Sequence, residues 1–287
     1  MNLRVPLTSV LAILLVHLAA AQDLHFPAKV EAGTAFSIPT SGSGDATLYI
    51  VGPAAALERK IHLGQDVAFS ADDLHNAGHY VAFLTGASAQ STQFDVVPSH
   101  QPESLSFLAK PSRLPVNRED GISGVAYIFD VFGNLILKPE DVSFQLSDAT
   151  GGTQSRKATS RDGVAWVQMN SAPKAGPAHF EATATGIQAT RVIEQVPGDP
   201  CSIHMTARPV AGQRVQLQTD PVRDCNGNPV PDGTIVSFTE SYQGRMSTVD
   251  VPLKRSIAQT ELPAVAGATI TVASGVVLGN EIHWSSR

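Results

Sequence analysis

A ten-residue turn, Asp224-Cys225-Asn226-Gly227-Asn228-Pro229-Val230-Pro231-Asp232-Gly233, constrains this chain more than any other stretch. It opens into Thr234-Ile235-Val236-Ser237-Phe238-Thr239. Asp224 can bond backbone N–H groups two residues on, Gly227 can take φ > 0 without a steric penalty, and Pro229 and Pro231 fix φ. Val236 and Phe238 then share one face and Ser237 takes the other, the period of a half-buried strand. The pattern occurs earlier as Asp130-Val131-Phe132-Gly133-Asn134, followed by Val142-Ser143-Phe144. Asp130, Gly133, Asn134 and the Val-Ser-Phe triplet all recur at an offset of 94 residues. A repeat of that length is domain-sized and predicts tandem modules. A turn used twice at equivalent positions reads as structural punctuation rather than as a site.

With 23 glycines and 19 prolines in 287 residues and no long helical period, the chain reads as all-β. Charged residues make up 16% and apolar ones 43%, so real cores can be buried. The net charge of −6 argues against nucleic acid, which wants a basic patch, and against electrostatic attachment to anionic lipid. The N-terminus reads as an export signal over residues 1–21: Arg4, the apolar run Val10–Leu18, then Ala19-Ala20-Ala21 before Gln22. That run is too short to span a bilayer comfortably, so no stable membrane insertion is expected after cleavage. The expected location is the periplasm, the cell surface or the medium. In an exported chain the two cysteines, Cys201 and Cys225, read as a disulfide, with two free thiols the alternative.

Three modules are expected, over residues 22–98, 99–197 and 198–287. In the first, Phe36 and Ile38, Leu48–Val51, Val67–Phe69, Tyr80–Phe83 and Gln93–Val97 read as strands, and Leu57–Lys60 as a helical turn. Gly78 two residues before Tyr80 resembles the tyrosine corner of immunoglobulin-like sandwiches, in which the Tyr80 hydroxyl would lock the crossing loop. Pro98–Glu103 and Pro197-Gly198-Asp199-Pro200 read as linkers. Ser202–Pro209 echoes Ser104–Pro111, and Ala266–Gly275 echoes Ala175–Ala184.

Residues from about 104 to 287 resemble bacterial immunoglobulin-like domains of the invasin/intimin type. Those domains carry an Asp-x-x-Gly-Asn-Pro-Val turn, a Val-x-Phe strand and a Thr-Asp-x-x-Gly-x-Ala motif. The third module has the turn in full at Asp224–Val230. The second has Leu135 where proline is usual and keeps the later motif as Thr159-Ser160-Arg161-Asp162-Gly163-Val164-Ala165. The third replaces that glycine, with Ser256-Ile257-Ala258 in its place. The resemblance implies tandem immunoglobulin-like β-sandwiches and a role at the cell surface as adhesin or spacer. In an up-and-down sandwich, Cys201 and Cys225 would both lie at the pole facing the second module, so a disulfide would stiffen that junction.

No Gly-x-Ser-x-Gly elbow supports hydrolase chemistry, and no cofactor motif is present. His75 and His79 have metal-like spacing but flank a loop-to-strand junction, where helical geometry does not hold. Asp199, Asp220 and Asp224 could converge on calcium, or could be ordinary Asx turns. Trp166 and Trp284 read as core residues or strand-end contacts, with a sugar platform as the alternative. The expected function is that of a non-enzymatic envelope protein in adhesion, protein–protein interaction or spacing, its partner an envelope or extracellular protein or glycan. The alternatives are a carbohydrate-binding accessory module and a periplasmic assembly factor.

Overall fold

The computed structural model describes residues 24–54, 56–85, 91–263 and 265–285; the expected export signal lies outside them. Described residues form strands and turns without a helix, and none is long and apolar enough to cross a membrane as a helix. They fall into two compact units: residues up to Ser99 together with Val131–Asn134, and the rest.

The first unit holds β1 (Lys29–Glu31), β2 (Phe36–Ile38), β3 (Asp45–Val51), β4 (Ala56–His62), β5 (Val67–Phe69), β6 (Gly78–Thr85) and β7 (Ser91–Val97). A five-stranded sheet, ordered β1-β7-β6-β3-β4, faces the two-stranded β2-β5. Among the described residues of this unit, β1 and β7 pair in parallel and the other strand pairs are antiparallel. Alternation builds the core: in β6, Tyr80, Ala82 and Leu84 are buried while their neighbours are not. Phe26 stacks on Phe94 at 4.5 Å and Tyr80 lies 5.5 Å from the same ring. Each such ring contributes about 1.5–3 kcal/mol on burial. The helical turn expected at Leu57–Lys60 is instead the middle of β4, paired with β3 over seven residues. The reason is tertiary. Arg59 pairs with both oxygens of Asp73 at 3.0 Å and lies 4.9 Å over the Phe69 ring, which rewards an extended backbone over local helical preference.

The second unit begins with β8 (Ser104–Lys110), β9 (Arg113–Pro115), β10 (Ile122–Phe129), β11 (Asp141–Ser147), β12 (Thr153–Thr159), β13 (Val164–Met169), β14 (Gly176–Ala184) and β15 (Ile187–Val196). They form a sandwich of sheets β13-β10-β8 and β12-β11-β14-β15-β9. Phe107, Phe144 and Phe180 meet at its centre, 5.0–6.3 Å apart and all fully buried. Gly124 of β10 makes the room, since a Cβ there would fall 2.6 Å from the Phe180 ring.

The same unit continues with β16 (Pro200–Ser202), β17 (Met205–Val210), β18 (Arg214–Thr219), β19 (Arg223–Asp224), β20 (Ile235–Tyr242), β21 (Arg245–Pro252), β22 (Gln259–Pro263), β23 (Thr269–Ser274) and β24 (Val277–His283). Sheets β17-β18-β22 and β21-β20-β23-β24 close over Val215, Leu217, Val236, Phe238, Ile270 and Val272. Val236 and Phe238 point inward and Ser237 does not. The described residues thus hold three separate apolar cores in tandem β-sandwiches.

Candidate functional site at the Asp-x-x-Gly-Asn turns

The turn after β19 is built around Asp224, which is 4% exposed. Its Oδ1 accepts the N–H groups of Asn226 at 2.9 Å and Asn228 at 2.8 Å. Its Oδ2 accepts the Gly198 N–H at 3.0 Å and the Asn228 amide at 2.9 Å. Burial alone would raise the carboxyl's pKa. The bonds from the Asn228 side chain and from the Gly198, Asn228 and Asn226 N–H groups outweigh it and hold the group below its usual range. Gly227 sits at φ 77°, which lets the loop close on this carboxylate. Asn228 also reaches outward. Its amide donates to Pro173 O at 2.9 Å, and its Oδ1 accepts the Ala175 N–H at 3.2 Å. Lys174 Nζ, between those two residues, donates to Asn226 O at 2.6 Å. The Cys201–Cys225 disulfide pins the same turn to β16, and Gly198 pins it to the preceding linker. The third sandwich is therefore fastened to the second by the side-chain bonds of Asn228 and Lys174 as well as by the chain, while the disulfide closes within the third module.

The earlier copy does the same within the first unit, to which Val131–Asn134 belong. The Asn134 amide donates to His75 O at 2.8 Å, and its Oδ1 accepts the Ala77 N–H at 2.8 Å. Each asparagine thus grips a carbonyl and an N–H two residues apart. Each gripped loop leads into a glycine at positive φ that opens a strand: Gly78 at 151° and Gly176 at 142°. Phe132 of the same tip packs 5.7 Å from His75 and covers Gly33, where a Cβ would fall 2.2 Å from the ring. The asparagines are thus more than punctuation. The sequence offers only a loose signal of this, the Ala-Gly pair at Ala77-Gly78 and Ala175-Gly176, which recurs at an offset of 98 residues against 94 for the turns.

The remaining candidates stand apart. The Tyr80 hydroxyl donates to Asn76 O at 2.8 Å, and the ring lies where a Cβ on Gly52 would meet it, with burial pushing the phenol's pKa up. His79 pairs with Asp95 at 3.0 Å, which raises its pKa, while His75 faces Asp72 O. Asp220 pairs with His204 at 3.0 Å and Asp224 is caged as described, so neither shares a ligand cage with Asp199. Among the described residues no three metal-capable side chains gather. Trp166 corrects its expectation. It is 64% exposed, because it falls on the outer phase of β13, whose inner phase is Ala165, Val167 and Met169. Trp284 packs against the third core. The two later motifs also align. Ile128 N–H donates to Gly163 O, and Val222 N–H donates to Ser256 O. Ser256 keeps the left-handed conformation of Gly163, at φ 63° against 79°.

No known protein family and no curated protein matches the chain. Solved structures do. The Escherichia coli adhesin FdeC superposes with a TM-score of 0.63 at 16% identity, covering 92% of this chain and 96% of that one. Invasin, a bacterial integrin-binding protein, gives 0.46 at 12% identity, over 91% of this chain and 58% of that one. InvD of Yersinia pseudotuberculosis gives 0.43 at 13% identity, over 94% and 97%. These neighbours are bacterial proteins of the invasin/intimin type, and the FdeC superposition fixes the fold as tandem immunoglobulin-like β-sandwiches.

Proposed function

We propose that this chain is an exported, non-enzymatic protein of the bacterial cell envelope, made of modules at 22–98, 99–197 and 198–287. It works in adhesion or protein–protein interaction, or as the spacer that presents such a surface. The observation that carries this reading is the asparagine grip, used once in each unit. It suits a chain whose task is to hold modules in place rather than to turn over a substrate. The likeness to the FdeC adhesin supports the same reading. The test is a pull-down with the immobilised chain from envelope and host-surface fractions. Retention of a defined protein is expected, and recovery of neither protein nor glycan would contradict it.

A second reading, carbohydrate binding, is favoured by one observation. Trp166, Val125 and Leu108 form a row across sheet β13-β10-β8, flanked on one side by the row of Tyr127 and on the other by the row of Lys110, Ser123 and Gln168. Aromatic rings beside polar side chains on a flat sheet can stack a sugar. A glycan array silent for both the native chain and Trp166→Ala removes this reading.

A further inference from the structure

We propose that the outer edge of β21, together with the Lys254-Arg255 turn at its end, is a docking site for an extended acidic peptide that adds as a strand. The proposal rests on the protein-binding reading above and names the surface that would serve it.

β21 pairs with β20 over eight residues without a bulge, and among the described residues no strand pairs with its other side. Exposed edges are usually guarded by charge, proline, bulges or a cover. The opposite edge of this sheet is covered. Asn280 of β24 bonds both the N–H and the O of Met205, at 2.7 and 3.0 Å, and Gly279 lies against Ile203 O. Edges of the other large sheets carry mid-strand charge, Glu58-Arg59-Lys60 in β4 and Arg156-Lys157 in β12. β21 carries a single mid-strand charge, Asp250, and ends at Pro252; its run Met246-Ser247-Thr248-Val249 holds neither charge nor proline, and Met246 is 75% exposed.

At the end of β21 the chain turns through Lys254–Ile257, which exchange two backbone hydrogen bonds. Arg255 and Ser256 sit at φ 51° and 63°, a conformation that costs an L-residue about 1–2 kcal/mol. Ser256 is buried and tied by Asp232, which accepts its N–H at 3.3 Å. Lys254 and Arg255 are left exposed and take part in no ion pair among the described residues. With Val251, Pro252, Gln218 and Gln259 they line a cavity of about 370 Å³. The equivalent turn of the second module, Arg161-Asp162-Gly163-Val164, carries one charge of each sign. The third module has two cations there, against a chain of net charge −6.

An edge strand offers N–H and C=O groups that any extended peptide can pair with, so specificity must come from side chains. Here the charge selects the partner. A strand running antiparallel to β21 brings its first residues to the turn, and carboxylates on those residues meet Lys254 and Arg255.

The test uses the full chain and a fluorescent octapeptide of alternating threonine and valine that begins with two aspartates. Fluorescence anisotropy compares it with the peptide that begins with two lysines, and with forms N-methylated at every second residue in each phase. The aspartate peptide should bind at least about tenfold tighter than the lysine one. One N-methyl phase should abolish binding and the other leave it intact. Lys254→Gln with Arg255→Asn, which keeps the left-handed turn accessible, should weaken binding about tenfold without lowering the melting temperature. Equal binding of the acidic and basic peptides, or indifference to both N-methyl phases, overturns the proposal. So does sedimentation showing that the chain covers β21 with a second copy of itself. A pull-down that recovers a partner whose binding ignores β21 overturns this proposal alone. A pull-down that recovers nothing overturns the reading beneath it.

Discussion

Two residues show how a small turn acts over a distance. Asp224 receives its hydrogen bonds as a carboxylate, and its folded-state pKa lies below its ordinary value of 3.8. A depressed carboxyl contributes stability that is present above its unfolded pKa and is lost as pH falls through the folded one. The chain should therefore lose stability on acidification below about pH 4. Asp224→Asn removes charge-assisted bonds, costing about 2 kcal/mol at neutral pH. The variant and the parent should converge once acid has protonated Asp224, as followed by urea midpoints across pH. Parallel curves at every pH would contradict this. Ser256 makes the opposite case. It holds a glycine's conformation without being glycine, and its hydroxyl reaches Val230 O only at 3.4 Å. Ser256→Gly should stabilise the third sandwich by about 1 kcal/mol, measured the same way.

The strands are where sequence and structure agree best. Strict alternation in β6, β10 and β20 made their inward faces legible, because one face of each meets a core. Edge strands were harder. β12 and β21 bury almost nothing, so they carry no apolar period by which a sequence could announce them. β4 was misread as helical because Leu57–Lys60 has good local helix formers and its strand character comes from Asp73 and Phe69. Trp166 was misplaced because a large aromatic is expected inside, yet its phase on β13 puts it outside. The Asp-x-x-Gly-Asn turns were visible at once, but the grip of Asn134 and Asn228 was not. A side chain bonding a backbone more than fifty residues away leaves no local pattern. At this scale Gly124 of β10 gives a sharp expectation. Gly124→Ala sets a methyl 2.6 Å from Phe180 and 3.1 Å from Phe107, and should cost about 1–3 kcal/mol by thermal or urea denaturation. A neutral substitution would mean that the three-phenylalanine core is looser than its packing implies.

At the scale of the molecule, three apolar cores are distributed over two compact units, and the third sandwich shares a unit with the second. The bonds from Asn228 and Lys174 account for that sharing. Unfolding should not be two-state. Reducing Cys201–Cys225, which closes a loop of sequence separation 24, should lower the transition of the second unit by about 3–4 kcal/mol. The first unit, which holds no cysteine, should melt unchanged, and a reductant-sensitive first transition would contradict the assignment. The central claim is that the asparagine of each turn grips a loop belonging to another sheet. Amide hydrogen exchange tests it most directly, at Ala77 and Ala175, whose N–H groups donate to Asn134 and Asn228. Asn228→Ala should speed exchange at Ala175 about tenfold or more, and Asn134→Ala should do so at Ala77, for the loss of roughly 1.4 kcal/mol of local protection. Amides in the centres of β6 and β11 should keep their rates. Unchanged exchange at Ala77 and Ala175 in these variants would contradict the account.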